Sequence, residues 1–405
     1  MKYKKHSIQS QRFVLKRWVS AKIPGIICLG KASVPILSIC ILSVCLGSAC
    51  SLFDRSWKSG APYPLDSIKL GVLYISDYQQ ETSGYTYAHA LGIQKMQRTM
   101  RMDSSQIISV GNVSDTDPIA IESAMRSLIA QGANVIIATS WGYMDTCEKL
   151  AAEFPRVLFS HASGYKRNDT NFTNFFGRIY HARYLSGIVA GLRTKTNRIG
   201  YVAAMGVDNS EVTGGINAFA LGVERVNPQA RIFVRVTYSW FDPIGETNAA
   251  RQLIAQGCDI IAQHCDSALP QLEAGKAGLL GIGYNSDMNY EMPGVVLTSV
   301  IWNWDVYYIH LIRSIVDGSF NTAPYFGGLA EGMVDIMPLN SDLAEPGTEA
   351  IIAAERKRLV DKAFNVFDGV LRTNDGRRIG QEGETLSDEE IKEHIAWYYH
   401  TVTVL

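Results

Sequence analysis

Eight residues have side chains suited to gripping a small flat or polar molecule: Tyr85, Trp141, Tyr165, Asn217, Trp240, Asp266, Asp287 and Trp302. An aromatic face stacks on a planar ring. A carboxylate accepts N–H or hydroxyl donors, and an amide both donates and accepts. Their spacing in the chain follows no catalytic signature. His264, Cys265 and Asp266 are ligand types for a metal, but alternation along a strand turns Cys265 away from the other two, and no second His/Cys group stands at ligand spacing. Gly278-Leu-Leu-Gly281-Ile-Gly283 lies in and around a strand rather than opening a helix, so it is not a dinucleotide fingerprint. A phosphate-cradling Gly-x-x-x-x-Gly-Lys-[Ser/Thr] loop and a Gly-x-Ser-x-Gly elbow are absent. The expectation is a binding protein without metal or cofactor, and not an enzyme.

These residues need rigid elements to hold them. Ile68–Ile75 is a short, nearly continuous apolar run, as in a parallel strand buried on both faces. Thr86–Met100 has helical spacing, Ile107–Val110 reads as a strand, Pro118–Gln131 as a helix closed by Gly132, and Val135–Thr139 as a strand. Asp145–Glu153, Val157–His161 and Phe172–Gly177 continue the alternation. A second series opens near Arg183 and runs through Ile199–Ala204, Val212–Val226, Ile232–Tyr238, Asp242–Gln256, Asp259–Gln263, Leu269–Ala277 and Gly278–Gly283, then Val295–Val300 and Asp305–Asp317. Two successive strand–helix series predict an α/β protein with two doubly wound parallel-sheet lobes. An internal echo supports duplication: Leu-Ile-Ala-Gln-Gly recurs at 128–132 and 253–257, each time before a buried strand. In such sheets ligands sit at the carboxyl ends of strands, where most of the eight residues fall, on both lobes. Asp266 has a competing reading as a helix N-cap and Asp287 as a turn residue; Asp242 before Pro243 is read as an N-cap only.

The boundaries expected are a leader at 1–50, a linker at 51–66 and a first lobe at 67–177 to which about 284–322 returns. The second lobe takes 178–283 and 323–405, including a helix at Glu349–Val366 and an Asp375-Gly376 turn. The chain has 405 residues, and a formal net charge of −1 gives no basic excess for nucleic acid. The first 31 residues hold eight Lys or Arg and no acid; an uncharged apolar run then ends in Gly47-Ser48-Ala49-Cys50. This is a secretory-signal layout. Its end resembles a lipoprotein processing site, with Cys50 as the acylated residue, although the usual leucine stands one place early at Leu46. The competing reading is an uncleaved signal anchor, since the run approaches the ~20 residues of a spanning helix. Cys147, Cys258 and Cys265 are expected as buried free thiols, a Cys258–Cys265 disulfide being the alternative.

Several stretches, in order, resemble the basic membrane protein family of ABC-transporter substrate-binding lipoproteins. They are Gly84-Tyr-Thr-Tyr-Ala-His89, Thr139-Ser-Trp-Gly-Tyr-Met144, His161-Ala-Ser-Gly-Tyr-Lys166, Gly215-Ile-Asn-Ala-Phe219 and Ser239-Trp-Phe-Asp-Pro243. The series continues with Gln263-His-Cys-Asp-Ser267, Gly283-Tyr-Asn-Ser-Asp-Met288, Trp302-Asn-Trp304, Gly327-Gly328 and Glu331-Gly-Met333. The resemblance implies a type I periplasmic-binding-protein fold with a hinge, and a purine base or nucleoside as ligand. It also implies ABC permease partners, a lipid anchor in the cell membrane facing periplasm or exterior, and a monomer. Tyr85 stands where the purine-base branch has Trp, and the Ser-Phe-Asn motif of the nucleoside branch is missing, so base or nucleoside stays open. Under this reading Tyr85 and Trp240 sandwich the ring, Asp266, Asp287 and Asn217 meet its edge or a sugar, and Trp141, Tyr165 and Trp302 line the wall. Two other functions are compatible with the residues: a ligand-sensing lipoprotein serving a membrane receptor, and a purine nucleoside hydrolase.

Overall fold

The computed structural model describes residues 62–405. The leader, Cys50 and most of the linker lie outside the described residues.

The first sheet contains β1 (Leu70–Leu73), β2 (Ile107–Val110), β3 (Val135–Ala138), β4 (Leu158–Ala162), β5 (Phe172–Gly177) and β11 (Tyr325–Gly327), in the order β11-β5-β4-β3-β1-β2, all parallel. The second contains β6 (Arg198–Ala203), β7 (Arg231–Val236), β8 (Ile260–His264), β9 (Leu280–Asn285), β10 (Val296–Trp302), β12 (Val334–Ile336) and β15 (Val402–Val404). Its order is β12-β10-β9-β8-β6-β7-β15, with β12 alone antiparallel. Helices α1 (Gly84–Met100), α2 (Pro118–Ala130) and α3 (Met144–Glu153) connect the first set. Helices α4 (Ile179–Arg193), α5 (Ser210–Val226), α6 (Pro243–Ala255) and α7 (Leu269–Lys276) serve the second. Strands β1, β3 and β8 are buried at every residue, as their unbroken apolar runs require. The repeated Leu-Ile-Ala-Gln-Gly segments occupy equivalent places, from the end of α2 into β3 and from the end of α6 into β8. Gly132 and Gly257 both take the left-handed conformation that turns helix into strand (φ 95° and 82°).

One boundary needs correction. The stretch from about 284 to 322 was expected to return to the first lobe. Yet β10 pairs with β9 from Val296/Gly281 onward and stays in the second sheet. The elements that return are α8 (Trp304–Asp317), which packs on α1, and β11, which pairs with β5. The chain therefore crosses between lobes three times, at Gly177–Ile179, Trp302–Trp304 and Gly327–Val334. The crossings are tied together: Arg178 N–H donates to the Gly327 carbonyl (2.6 Å), Asn303 N–H to Met333 (2.9 Å) and the Asn303 side-chain amide to Gly332 (2.9 Å). Three adjacent connections make a hinge.

The C-terminal region adds α9 (Thr348–Val360), shorter than the helix expected over 349–366. It also holds the hairpin β13 (Leu371–Arg372) and β14 (Arg378–Ile379) around the Asp375-Gly376 turn, and the short α10 (Asp388–Glu393). Cys147, Cys258 and Cys265 are free and buried. Asp242 caps α6, accepting from Gly245 N–H, with Pro243 in the first turn.

Candidate functional site

In each sheet the strand order reverses beside the first strand of its lobe: β2 and β3 flank β1, and β7 and β8 flank β6. Ligands of doubly wound sheets bind at such switch points, outside the carboxyl ends of the strands. The helix after β1 places Tyr85 at its second residue, and the helix after β6 places Glu211 at its second residue. The duplicated lobes thus bring an aromatic and a carboxylate to corresponding positions, and the charge of Glu211 acts on the Tyr85 hydroxyl.

The second lobe contributes a connected set. Tyr284 and Asn285 end β9. The Tyr284 hydroxyl donates to Glu211 (3.4 Å), and the Asn285 amide donates to Asp266 (2.8 Å). His264 Nε2 lies 3.5 Å from Glu211. The edge of Trp240 faces the His264 ring at 5.9 Å, and the Trp240 carbonyl accepts from Asp266 N–H (2.8 Å). Arg183 is wholly buried. Its guanidinium donates to the Gln263 carbonyl (2.7 Å) and lies over the Tyr284 ring at 4.2 Å.

Burial sets the charges here. It pushes the Asp266 carboxyl up to about 8, with Glu246, Glu211 and Glu81 adding to the rise against the Asn285 hydrogen bond. It pushes Glu211 up to about 7, opposed by Arg183 and by the Tyr284 hydroxyl. Burial lowers His264, Arg183 lowering it further, and burial lowers His89. The imidazoles are neutral at pH 7, and the two acids hold protons well above the carboxylate range. A carboxyl that keeps its proton both donates and accepts, so this floor can match a heterocycle edge of mixed pattern.

The first lobe closes the set with aromatic rings. Tyr85 meets His89 edge-on at 4.4 Å, and His89 stacks on Trp304 at 4.0 Å. Trp304 stacks on Trp302 at 4.6 Å, and the Trp302 indole N–H donates to the Tyr284 hydroxyl at 3.1 Å. The lobes also touch directly. A Cβ on Gly84 would lie 2.7 Å from the Asp266 carbonyl, and Thr82 donates to Glu291 (3.0 Å) across the cleft.

Of the eight candidates, Tyr85, Trp240, Asp266 and Trp302 come together. Trp302 does so as a buried ring beneath Trp304. Trp141 and Tyr165 stand on the first-lobe surface, 58% and 65% exposed. Two residues have other tasks. Asn217 is fully buried in α5 and clamps the C-terminal segment, donating to the Trp397 carbonyl and accepting from Tyr399 N–H, both at 2.8 Å. Asp287 is exposed and accepts from Asn289 N–H (3.0 Å), the turn its sequence allowed. Asp266 is not a cap: Ser267 supplies the hydroxyl that accepts from Leu269 N–H. His264, Cys265 and Asp266 do not act as a unit, since the Cys265 carbonyl and sulfur both face the Gln263 amide. Among the described residues the His/acid group within ligating reach is the exposed Glu389, Glu393 and His394. Glu211, Arg183, His264, Tyr284, Asn285 and Trp304 had not been singled out. The lobe duplication was the signal for Glu211, which repeats the place of Tyr85.

Two hinged doubly wound lobes with polar and aromatic side chains meeting at both switch points define a bilobal solute-binding protein. The chain belongs to the family described as ABC transporter substrate-binding protein PnrA-like, whose model matches residues 70–363. It is 32% identical over 335 residues to a purine-binding protein of Brucella abortus, covering 82% of this chain and 92% of that one. It is also 32% identical over 314 residues to a Haloferax volcanii protein named for glucose binding with an ABC transporter (76% and 78% covered). Its fold matches a solute-binding protein of an ABC transporter system from Conexibacter woesei with a TM-score of 0.61 at 18% identity, over 74% of this chain and 98% of that structure.

Proposed function

We propose that this protein captures a purine base or nucleoside between its lobes and hands it to an ABC permease. It does so as an exported lipoprotein, held by Cys50 on the outer face of the membrane. The observation that carries the reading is the facing of Tyr85, from the first lobe, with Glu211, Asp266 and Trp240 of the second at the two switch points. Tyr85 and Trp240 offer stacking faces, each worth ~1–3 kcal/mol against a base. Glu211, Asp266 and Asn285 offer the hydrogen bonds at its edge. The relative in Brucella abortus supports this ligand class. The hinge supplies the motion, closing the cleft on the ligand and opening it at the permease.

A sugar is the second reading, because carboxylates and indoles also suit sugar hydroxyls and faces, and the Haloferax volcanii relative is named for glucose. A thermal-shift screen against adenine, guanine, hypoxanthine, adenosine, inosine, ribose and glucose separates the two. Bound ligand raises the melting temperature by mass action, by about 2.7 kcal/mol of stability at a hundredfold excess over Kd. A shift with purines, lost in Trp240→Ala, supports the proposal; a shift with glucose alone replaces it.

A further inference from the structure

The polar side of the cleft is acidic to an unusual degree for a site that takes a small ring. Consecutive residues at the end of β9 hold one carboxyl each: Tyr284 contacts Glu211, and Asn285 contacts Asp266. Asp115, which accepts from the Ser140 hydroxyl in the first lobe (2.6 Å), acts on the same Tyr85 ring as those two. The cation beside them, Arg183, is wholly buried and committed to the Gln263 carbonyl and the Tyr284 face. A second feature points to a ligand at this spot. Asn285 is 1% exposed, holds a left-handed backbone (φ 69°) and spends its amide on Asp266, while its own side-chain carbonyl has no hydrogen-bond partner among the described residues. Strain in a non-glycine residue and an unmet buried acceptor together mark a position shaped for binding. That acceptor, like the carboxyls, asks for a donor.

We propose that the cleft selects by charge, admitting neutral or cationic nitrogen heterocycles that present N–H donors and rejecting anionic ones of the same size, with Glu211 and Asp266 as the residues that reject. The inference rests on the purine reading above and narrows it. An anion placed here meets two carboxyls that are already costly to ionise. It can bind only if both stay protonated, and its own charge pushes their proton affinity higher still. A neutral ring carries no such condition. Urate, an anion at neutral pH, is close in size to hypoxanthine, which is neutral, so the pair isolates charge from volume.

The test is calorimetric titration of the soluble two-lobe protein with adenine, hypoxanthine and urate at pH 7.5, repeated with Glu211→Gln and Asp266→Asn. Each variant is first checked for an intact melting transition. The expected result is urate at least a hundredfold weaker than hypoxanthine in the unaltered protein. The urate-to-hypoxanthine affinity ratio should rise tenfold or more in at least one folded variant. Urate within tenfold of hypoxanthine, or a ratio that neither variant moves, overturns selection by charge while the purine reading stands. If adenine and hypoxanthine both fail to bind, the purine reading itself falls, and this inference with it.

Discussion

The indoles of Trp302 and Trp304 stack at 4.6 Å with 13° between their planes, although Trp302 ends the last parallel strand of the second lobe and Trp304 begins a helix of the first. Only Asn303 separates them, and it is pinned to Gly332 and Met333 of another crossing. The stack is therefore an axle through the hinge. It also joins the two halves of the site, since His89 and Tyr85 continue from Trp304, and Tyr284 and Glu211 continue from Trp302.

Trp304 is fully buried and touches His89, Tyr85, Phe175 and Trp302. Trp304→Ala should destabilise the protein by about 3–5 kcal/mol, the range for emptying so large a buried site. Urea denaturation measures it. A cost below about 1 kcal/mol would remove the stack from the account of the hinge.

Asn217→Ala should cost about 2–4 kcal/mol, because it strands a buried carbonyl at Trp397 and a buried N–H at Tyr399. Ligand affinity of the folded fraction should stay within about twofold. A large loss of affinity at unchanged stability would return Asn217 to the site.

Asp287→Ala should change neither stability, beyond about 0.5 kcal/mol, nor ligand affinity, because the side chain serves an exposed turn. Paired titrations of this variant and Asp266→Ala give the contrast: only the second should weaken binding.

The sequence made the lobes legible because buried parallel strands leave continuous apolar runs, and because duplication left the same five residues at equivalent turns. It was less informative about which sheet a late strand joins. Residues 296–302 look alike as a buried strand in either lobe, and only pairing with β9 decides. Aromatic residues at strand ends were visible, but exposure was not: Trp141 and Trp240 read alike in the chain, and the fold leaves one outside. Asn217 has the chemistry of a base reader, and tertiary packing spends it on the C-terminal segment instead. Arg183 and His264 take their importance from burial and from neighbours far along the chain, which no local pattern records.

The two raised acids give a signed pH dependence. Asp266 moves from its ordinary 3.8 up to about 8 in the folded protein, and Glu211 from 4.5 up to about 7. A group whose folded value is raised contributes stability that is present at low pH and is lost as pH climbs through that value. Below pH 6.5 the buried histidines, lowered by burial, pull the other way, since unfolding lets them take protons. The acid signature is therefore read between pH 7 and 9, chiefly from Asp266. The groups facing it are Asn285, Glu246, Glu211, Glu81 and Tyr85, while Arg183, His264 and Tyr284 face Glu211. Stability by urea denaturation should fall across that window, and Asp266→Asn should flatten the fall. An equal slope in the variant would mean that Asp266 does not carry it.

Gly84 tests closure itself. It holds φ 86°, where an alanine is strained by about 1–2 kcal/mol, and a Cβ there would meet the Asp266 carbonyl at 2.7 Å, backbone against backbone with no side chain to yield. The contact crosses the cleft, next to the Thr82–Glu291 hydrogen bond. Each lobe can keep its own packing if the two move slightly apart. Gly84→Ala should therefore weaken ligand binding by about tenfold, or about 1.4 kcal/mol, through a closed state that no longer fits. Small-angle scattering with saturating ligand should show a larger radius of gyration for the variant than for the unaltered protein. Unchanged affinity and an unchanged radius would mean that the lobes do not need this contact to grip.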